Sequence, residues 1–242
     1  MNIDETILKN MNIENLVTSA IHAPAPVHLP QQLLLNLSKT KKNILITVTF
    51  ISIFIFTQLC LRNVTKVARD EQLDISLPDI YHESLPNMRE WHEYSDWMPV
   101  APLMLFTILD KFEHFYEFWL LISLIYLMRA VCFSMTVTPS PSSSCKCEWE
   151  FEPVTPLRKL LNVIYQEGCN DNIFSGHTSM MVMSSLFIVT YIVPGSMLCK
   201  IILLIYNIIG FLVIISCRLH YSVDCFIASV ISVLLFYAYK PI

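Results

Sequence analysis

Apolar residues fall in long, nearly unbroken runs along this chain, and short charged or proline-marked stretches separate one run from the next. The first run, Ile44 to Leu61, approaches the roughly 20 helical residues that a bilayer core of about 30 Å requires. A second begins near Met98 and reaches only Leu109 before Asp110 and Lys111 interrupt it. Phe115 to Val137 is the third. It stops at Pro139-Ser140-Pro141, because proline has no N–H with which to continue a helical ladder. Thr178 to Val193, closed by Pro194-Gly195, then Ile201 to Cys217 and Tyr221 to Tyr239 complete the series. The pattern predicts an all-α, polytopic membrane protein: a six-transmembrane-helix bundle over residues 41–242.

Residues 1–40 are polar and include Ala23-Pro24-Ala25-Pro26, which reads as a flexible tail. No apolar stretch opens the chain, so no cleavable signal peptide is expected. Lys39, Lys41 and Lys42 precede the first run and predict a cytosolic tail, since positive residues near span ends tend to stay inside. With six passes, the polar loops 62–97 and 138–174 then lie on the lumenal or extracellular side.

Composition agrees with the pattern. Hydrophobic residues make up 54%, charged residues 15%, and mean hydropathy is +0.52. A net charge of -4 offers no basic field for a polyanion, so nucleic acid is not an expected partner and the lipid bilayer is. Of the eight cysteines, Cys60, Cys132, Cys199, Cys217 and Cys225 sit in or beside apolar runs, where a thiol packs as a small hydrophobe. Cys145, Cys147 and Cys169 share one polar loop, and sequence leaves open whether any two of them pair. The Cys and His spacings predict no metal site, and nothing calls for a cofactor.

Two histidine blocks open two of the runs: Ser175-Gly176-His177-Thr178 and His220-Tyr221-Ser222-Val223-Asp224. The fourth run leaves one membrane face, the fifth returns to it and the sixth starts there, so both histidines belong to one face. His220 and Asp224 are spaced as neighbours on a helix, where the carboxylate can accept the imidazole N–H and leave the other ring nitrogen as a nucleophile. His177 follows a Ser-Gly pair at a helix start, where backbone N–H groups favour an anion such as phosphate. There it is placed to give a proton to a departing alkoxide. Arg218 is close enough in sequence to add charge-assisted bonds to phosphate oxygens. Arg129, deep within the third run, is a functional candidate because an arginine in a membrane span is costly. Each block alone is weak evidence, and the two on one membrane face reinforce each other.

At these residues the chain resembles the sphingomyelin synthase family, a branch of the lipid phosphate phosphatase superfamily. Leu77-Pro78-Asp79 is similar to that family's first block, and Arg129 through Thr138-Pro139-Ser140-Pro141 to its second. Cys169-Asn170-Asp171 with Ser175-Gly176-His177-Thr178 resembles the third, and His220 to Asp224 the fourth. The resemblance implies a ping-pong transfer. His220 with Asp224 attacks phosphatidylcholine, His177 assists the departure of diacylglycerol, and ceramide takes the phosphocholine to give sphingomyelin. Phospholipid donor and ceramide acceptor are then the partners, the Golgi or plasma membrane is the location, and a homo-oligomer is left open. Asp171 matches an acidic residue that orients the first histidine, and Glu150 is the choice over Glu148 and Glu152 to complete that pairing. Ser175, Arg129 and Arg218 support the site. Asn170 stands where the family's third block has glycine, and the aromatic tail after the fourth block is missing. Head-group choice among choline, ethanolamine and inositol stays open on those grounds. A lipid phosphate phosphatase is the runner-up reading, but the chain lacks an Arg-Pro dipeptide and Arg218 is only two residues before His220. A non-catalytic ceramide sensor is a third.

Overall fold

The computed structural model describes residues 37–73, 75–142, 170 and 172–239. Among these, the backbone is helix, turn and short irregular connections, and no strand forms. Helix α1, Lys39–Asp70, runs well past the apolar stretch that defines its start, because no proline or glycine interrupts it and Leu61, Val64, Thr65 and Ala68 keep one face packed at helical spacing. Asp79 caps a short helix α2, Ile80–Ser84, by accepting the N–H groups of Tyr81 and His82. A 3₁₀ turn, Arg89–Trp91, leads into α3, His92–Asp110. Helix α3 therefore begins six residues before Met98, where the apolar run starts. Helix α4 is Phe115–Met135. Helix α5, Gly176–Phe187, continues as a π-helical turn over Ile188–Ile192. Helix α6, Met197–Ser216, is capped by Ser196, and α7 is Ser222–Tyr239.

Four of these helices, α1, α4, α6 and α7, are long and apolar enough to cross a bilayer. The continuous helix Gly176–Ile192 is apolar but shorter, and α3 is weakened as a span by Glu93 and Asp96 near its start and Asp110 at its end. The six expected runs thus appear as six helices in order, of which four meet the full criterion for a span.

Burial runs opposite to that of a water-soluble protein. Large apolar side chains such as Ile44, Val48, Leu198, Ile202, Leu204 and Leu234 are exposed, while Ser179, Ser184, Arg129, His220 and Asp224 are buried. In lipid that is the favourable arrangement, since exposed apolar surface costs nothing there and polar groups must find partners inside. Helix α5 is the central element, touching α3, α4, α6 and α7. Small residues let its neighbours approach, and the hydroxyls of Ser179, Ser184 and Ser185 donate to the carbonyls of Ser175, Met180 and Met181 four residues back. The core is aromatic. Phe187 of α5 lies 5.3 Å from each of the rings of Phe106, Phe118 and Phe236, which come from α3, α4 and α7. Below them, Asp110 accepts the backbone N–H of His114 at 2.7 Å and its Nδ1–H at 2.6 Å, which closes the turn between α3 and α4.

Gly210 on α6 lets that helix approach α5: any side chain there would meet the Met181 thioether. Replacing Gly210 by leucine should overpack this contact and lower stability by about 1–3 kcal/mol. Thermal unfolding in detergent reads the change, and an unaltered midpoint would contradict the packing described.

Candidate functional site

The site forms where three segments meet: the start of α5, the turn before α7 and the beginning of α3. Ser175 caps α5, its hydroxyl accepting the N–H of Thr178 at 3.2 Å and the Thr178 hydroxyl at 3.0 Å. That cap holds Gly176 and His177 at the first helical turn, where backbone N–H groups lack partners within the helix. The hydroxyl of Ser175 is engaged in capping, so its part in the site is to shape the helix start.

His177 and His220 are 43 residues apart in the chain, yet their ring centroids are 6.2 Å apart and their planes are inclined by 61°. His177 is partly exposed, and its Nε2–H donates to Asp96 Oδ1 at 3.0 Å. His220 is buried, with its side chain 3% exposed. Its Nδ1 stands 3.7 Å from Asp224 Oδ2, within ion-pair range and too far for a hydrogen bond.

The expected one-turn pairing of His220 with Asp224 along a helix does not form in that way. Helix α7 begins at Ser222, and Arg218 adopts a left-handed conformation with φ of 55° that breaks the helical path before His220. Asp224 is instead the third residue of its helix and reaches back to accept the N–H of Tyr221 at 3.0 Å, as an acid does in a capping box. Its other oxygen accepts the N–H of Ile173 at 2.8 Å, and its backbone carbonyl accepts the N–H of Ser175 at 3.3 Å. Ile173 has φ of 81°, an unfavourable conformation for a β-branched residue, and the bond to Asp224 helps hold it there. One buried carboxylate thus joins the strand of chain leading to His177 to the turn carrying His220.

Arg129 is 7% exposed and comes from α4 to the start of α5. A Cβ at Gly176 would collide with its guanidinium, so glycine is needed there for the arginine to approach. Arg218 behaves otherwise than its sequence position promises. Its Nη2 donates to the backbone carbonyls of His82 and Leu85, so it clamps the end of α2. Asp171, Glu150 and the loop cysteines Cys145, Cys147 and Cys169 lie outside the described residues. Among the described residues no three His, Cys, Asp or Glu side chains converge as metal ligands would.

Sequence reading missed Asp96 and His82. Starting the second run at Met98 left Asp96 in a loop, whereas the helix beginning at His92 carries it to His177. The signal was an acid just ahead of an apolar run. His82 sits three residues after Leu77-Pro78-Asp79, and its ring stacks on Tyr221 with centroids 5.6 Å apart. Burial pushes the His82 imidazole toward its neutral form; Asp79 opposes this, Arg218 reinforces it, and the net result is a pKa below the ordinary 6.5. For Asp79, burial favours the acid form, but hydrogen bonds from Ser222 and His82 outweigh it and leave its pKa below 3.8.

Residues 168–241 match the family model described as PAP2 superfamily C-terminal, a stretch that includes both histidines and Asp224. Over 217 residues the chain is 29% identical to sphingomyelin synthase-related protein 1 of Mus musculus, covering 83% of this chain and 45% of that protein. Over 180 residues it is 25% identical to sphingomyelin synthase-related 1 of Caenorhabditis elegans, covering 67% of this chain and 37% of the relative. The chain therefore spans less than half the length of either curated relative. The comparisons support the resemblance read from the four sequence blocks: this membrane protein is related to the sphingomyelin synthase family within the lipid phosphate phosphatase superfamily.

Both depressed pKa values have the same consequence for stability. A group that binds its proton less readily when folded stabilises the fold above its unfolded pKa and loses that contribution as pH falls. The thermal midpoint in detergent should accordingly decline as pH drops below about 6.5 through His82, and again below about 3.8 through Asp79. A His82→Phe variant should lose the upper limb of that decline, and a wild-type midpoint that rises on acidification to pH 5 would contradict the assignment.

Proposed function

We propose that this chain is a ceramide phosphotransferase of sphingomyelin synthase type, with phosphatidylcholine as donor. The observation that carries the reading is the pair of imidazoles 6.2 Å apart at a helix start with a buried arginine. A phosphorus about 3 Å from one ring and a leaving oxygen about 3 Å from the other fit between them.

His220 is the nucleophile. Asp224 lies on its Nδ1 side, which leaves Nε2 to attack phosphorus, and the bond from phosphorus to the glycerol oxygen breaks. His177 gives a proton to that oxygen as diacylglycerol departs. Its Nε2 is held by Asp96 and its buried Nδ1 has no hydrogen-bond partner, so Nδ1 is the nitrogen available for the proton. In the second half, the primary hydroxyl of ceramide attacks the phosphohistidine, its proton returns to His177, and the N–P bond breaks. Arg129 and the N–H groups at the start of α5 balance the charge on the phosphoryl oxygens as it grows. Among the described residues, Asp96 is the partner of the His177 ring.

We place the site at head-group depth, on the lumenal or extracellular face of the Golgi or plasma membrane, with α3 and α5 completing six passes. Trp91, Tyr94 and Trp97 are exposed at the start of α3 next to Asp96, and Met104, Leu105 and Ile108 are exposed further along it. Aromatic residues collect at the interface and aliphatic ones below it, which is the sequence of environments a spanning helix meets. The lysines in the first turn of α1 are our ground for assigning that end to the cytosol.

Membranes holding the protein should convert fluorescent ceramide to a phosphorylated product when given phosphatidylcholine, and His220→Ala or Asp224→Ala should abolish that product while leaving the protein in the membrane. Parallel assays with phosphatidylethanolamine and phosphatidylinositol identify the head group by thin-layer mobility. Inorganic phosphate released from phosphatidic acid, without a ceramide product, would select the phosphatase instead. Gly176→Ala should displace Arg129 and lower turnover by about 10²-fold or more, on the scale of a 1 Å misplacement of a catalytic group. Full activity in that variant would remove Arg129 from the phosphate site.

A further inference from the structure

The segment Leu77–Leu85 is bound along its length to the turn that carries His220. Asp79 Oδ2 accepts the N–H of Ser222 at 2.7 Å, and the N–H of Leu77 donates to the Tyr221 hydroxyl at 3.0 Å. Arg218 reaches back to the carbonyls of His82 and Leu85. At the centre, the Nε2 of His82 lies 3.2 Å from the carbonyl oxygen of His220 itself. A carbonyl can only accept, so this nitrogen carries the proton and donates.

That contact matters because of where His220 sits. It precedes the first residue of α7 and follows the left-handed Arg218, so no helical ladder holds its peptide in place. Its ring receives no compensating anchor, since Nδ1 is 3.7 Å from Asp224 and makes no hydrogen bond. With no hydrogen bond on Nδ1, the aim of this buried ring depends on the packing around it and on the main chain that carries it, and His82 holds that main chain from outside.

We propose that His82 is a positioning residue that fixes the main chain of His220 through its Nε2–H and so aims the nucleophilic imidazole. The role rests on the reading of His220 as nucleophile, and the experiment separates the two. His82→Phe keeps the ring on Tyr221 and removes the donor; His82→Gln replaces the donor and removes the ring. With fluorescent ceramide and phosphatidylcholine vesicles, His82→Phe should lower kcat by about 10-fold or more with KM unchanged, and His82→Gln should recover most of it. In parallel, carbethoxylation of His220 by diethyl pyrocarbonate, followed by mass spectrometry, should be faster in His82→Phe than in wild type and near wild type in His82→Gln. Equal kcat and equal modification rates in all three proteins overturn the role. So does a fall in thermal midpoint with kcat and the modification rate unchanged, because His82 would then contribute stability alone. If His220→Ala keeps its turnover, or if wild type turns over no ceramide, the transfer reading fails. The modification rates then decide by themselves whether His82 holds His220.

Discussion

A carboxylate buried in an apolar helical bundle must be satisfied or the fold is penalised, and that requirement organises this protein around Asp224. An ionised aspartate within a membrane helix costs roughly 2.5–3.5 kcal/mol before it finds partners. Asp224 finds them in the N–H groups of Ile173 and Tyr221, which belong to different parts of the chain, and its own carbonyl takes the N–H of Ser175. Meeting the needs of one side chain thus fastens the start of α5 to the start of α7. The nearness of His177 and His220 follows from that fastening, since each stands within a few residues of a group that Asp224 holds.

The surrounding bundle supplies the conditions under which such bonds persist. Phe187 packs against aromatic rings from three other helices, and Gly210 lets α6 come close to Met181 of α5. Serine hydroxyls that would be costly in this core donate to carbonyls one turn back, so α5 remains central without unsatisfied groups at those positions. With apolar side chains facing outward to lipid, the polar groups of the site are left at one end, close to the level of Trp91, Tyr94 and Trp97. On the proposed reading, a site at that level would meet phospholipid head groups without drawing them through the bilayer core.

Two segments outside the apolar helices complete the centre. The start of α3 brings Asp96 to His177, and the Leu77–Leu85 segment covers the turn before α7 through Asp79, His82 and the two carbonyls held by Arg218. Both segments precede the histidine blocks in the chain by more than 75 residues, and each supplies a hydrogen bond to one histidine residue, to the ring of His177 and to the main chain of His220. Helix ends are where such contacts are available, because their backbone groups are not consumed by the helical ladder.

Sequence alone determined the class of the protein, the order of its helices and the identity of the two histidine blocks. Long apolar runs have few physical solutions in lipid, and helix direction alone places two run starts on one face. It also marked Asp224 and Arg129, because charged residues within apolar runs are costly enough to stand out. What sequence misjudged were the local paths: His220 lies outside α7, Asp224 caps the helix rather than bonding the ring, and Arg218 turns to α2 rather than to a phosphate position. His82 was invisible and Asp96 only weakly marked, because they lie in polar stretches where charged and ring residues are ordinary, and their distance in space gives them meaning. Periodicity reports what each segment needs from its surroundings; which particular partner meets that need is decided when the helices pack, since hydrogen bonds act over about 3 Å and sequence separation carries no information at that range.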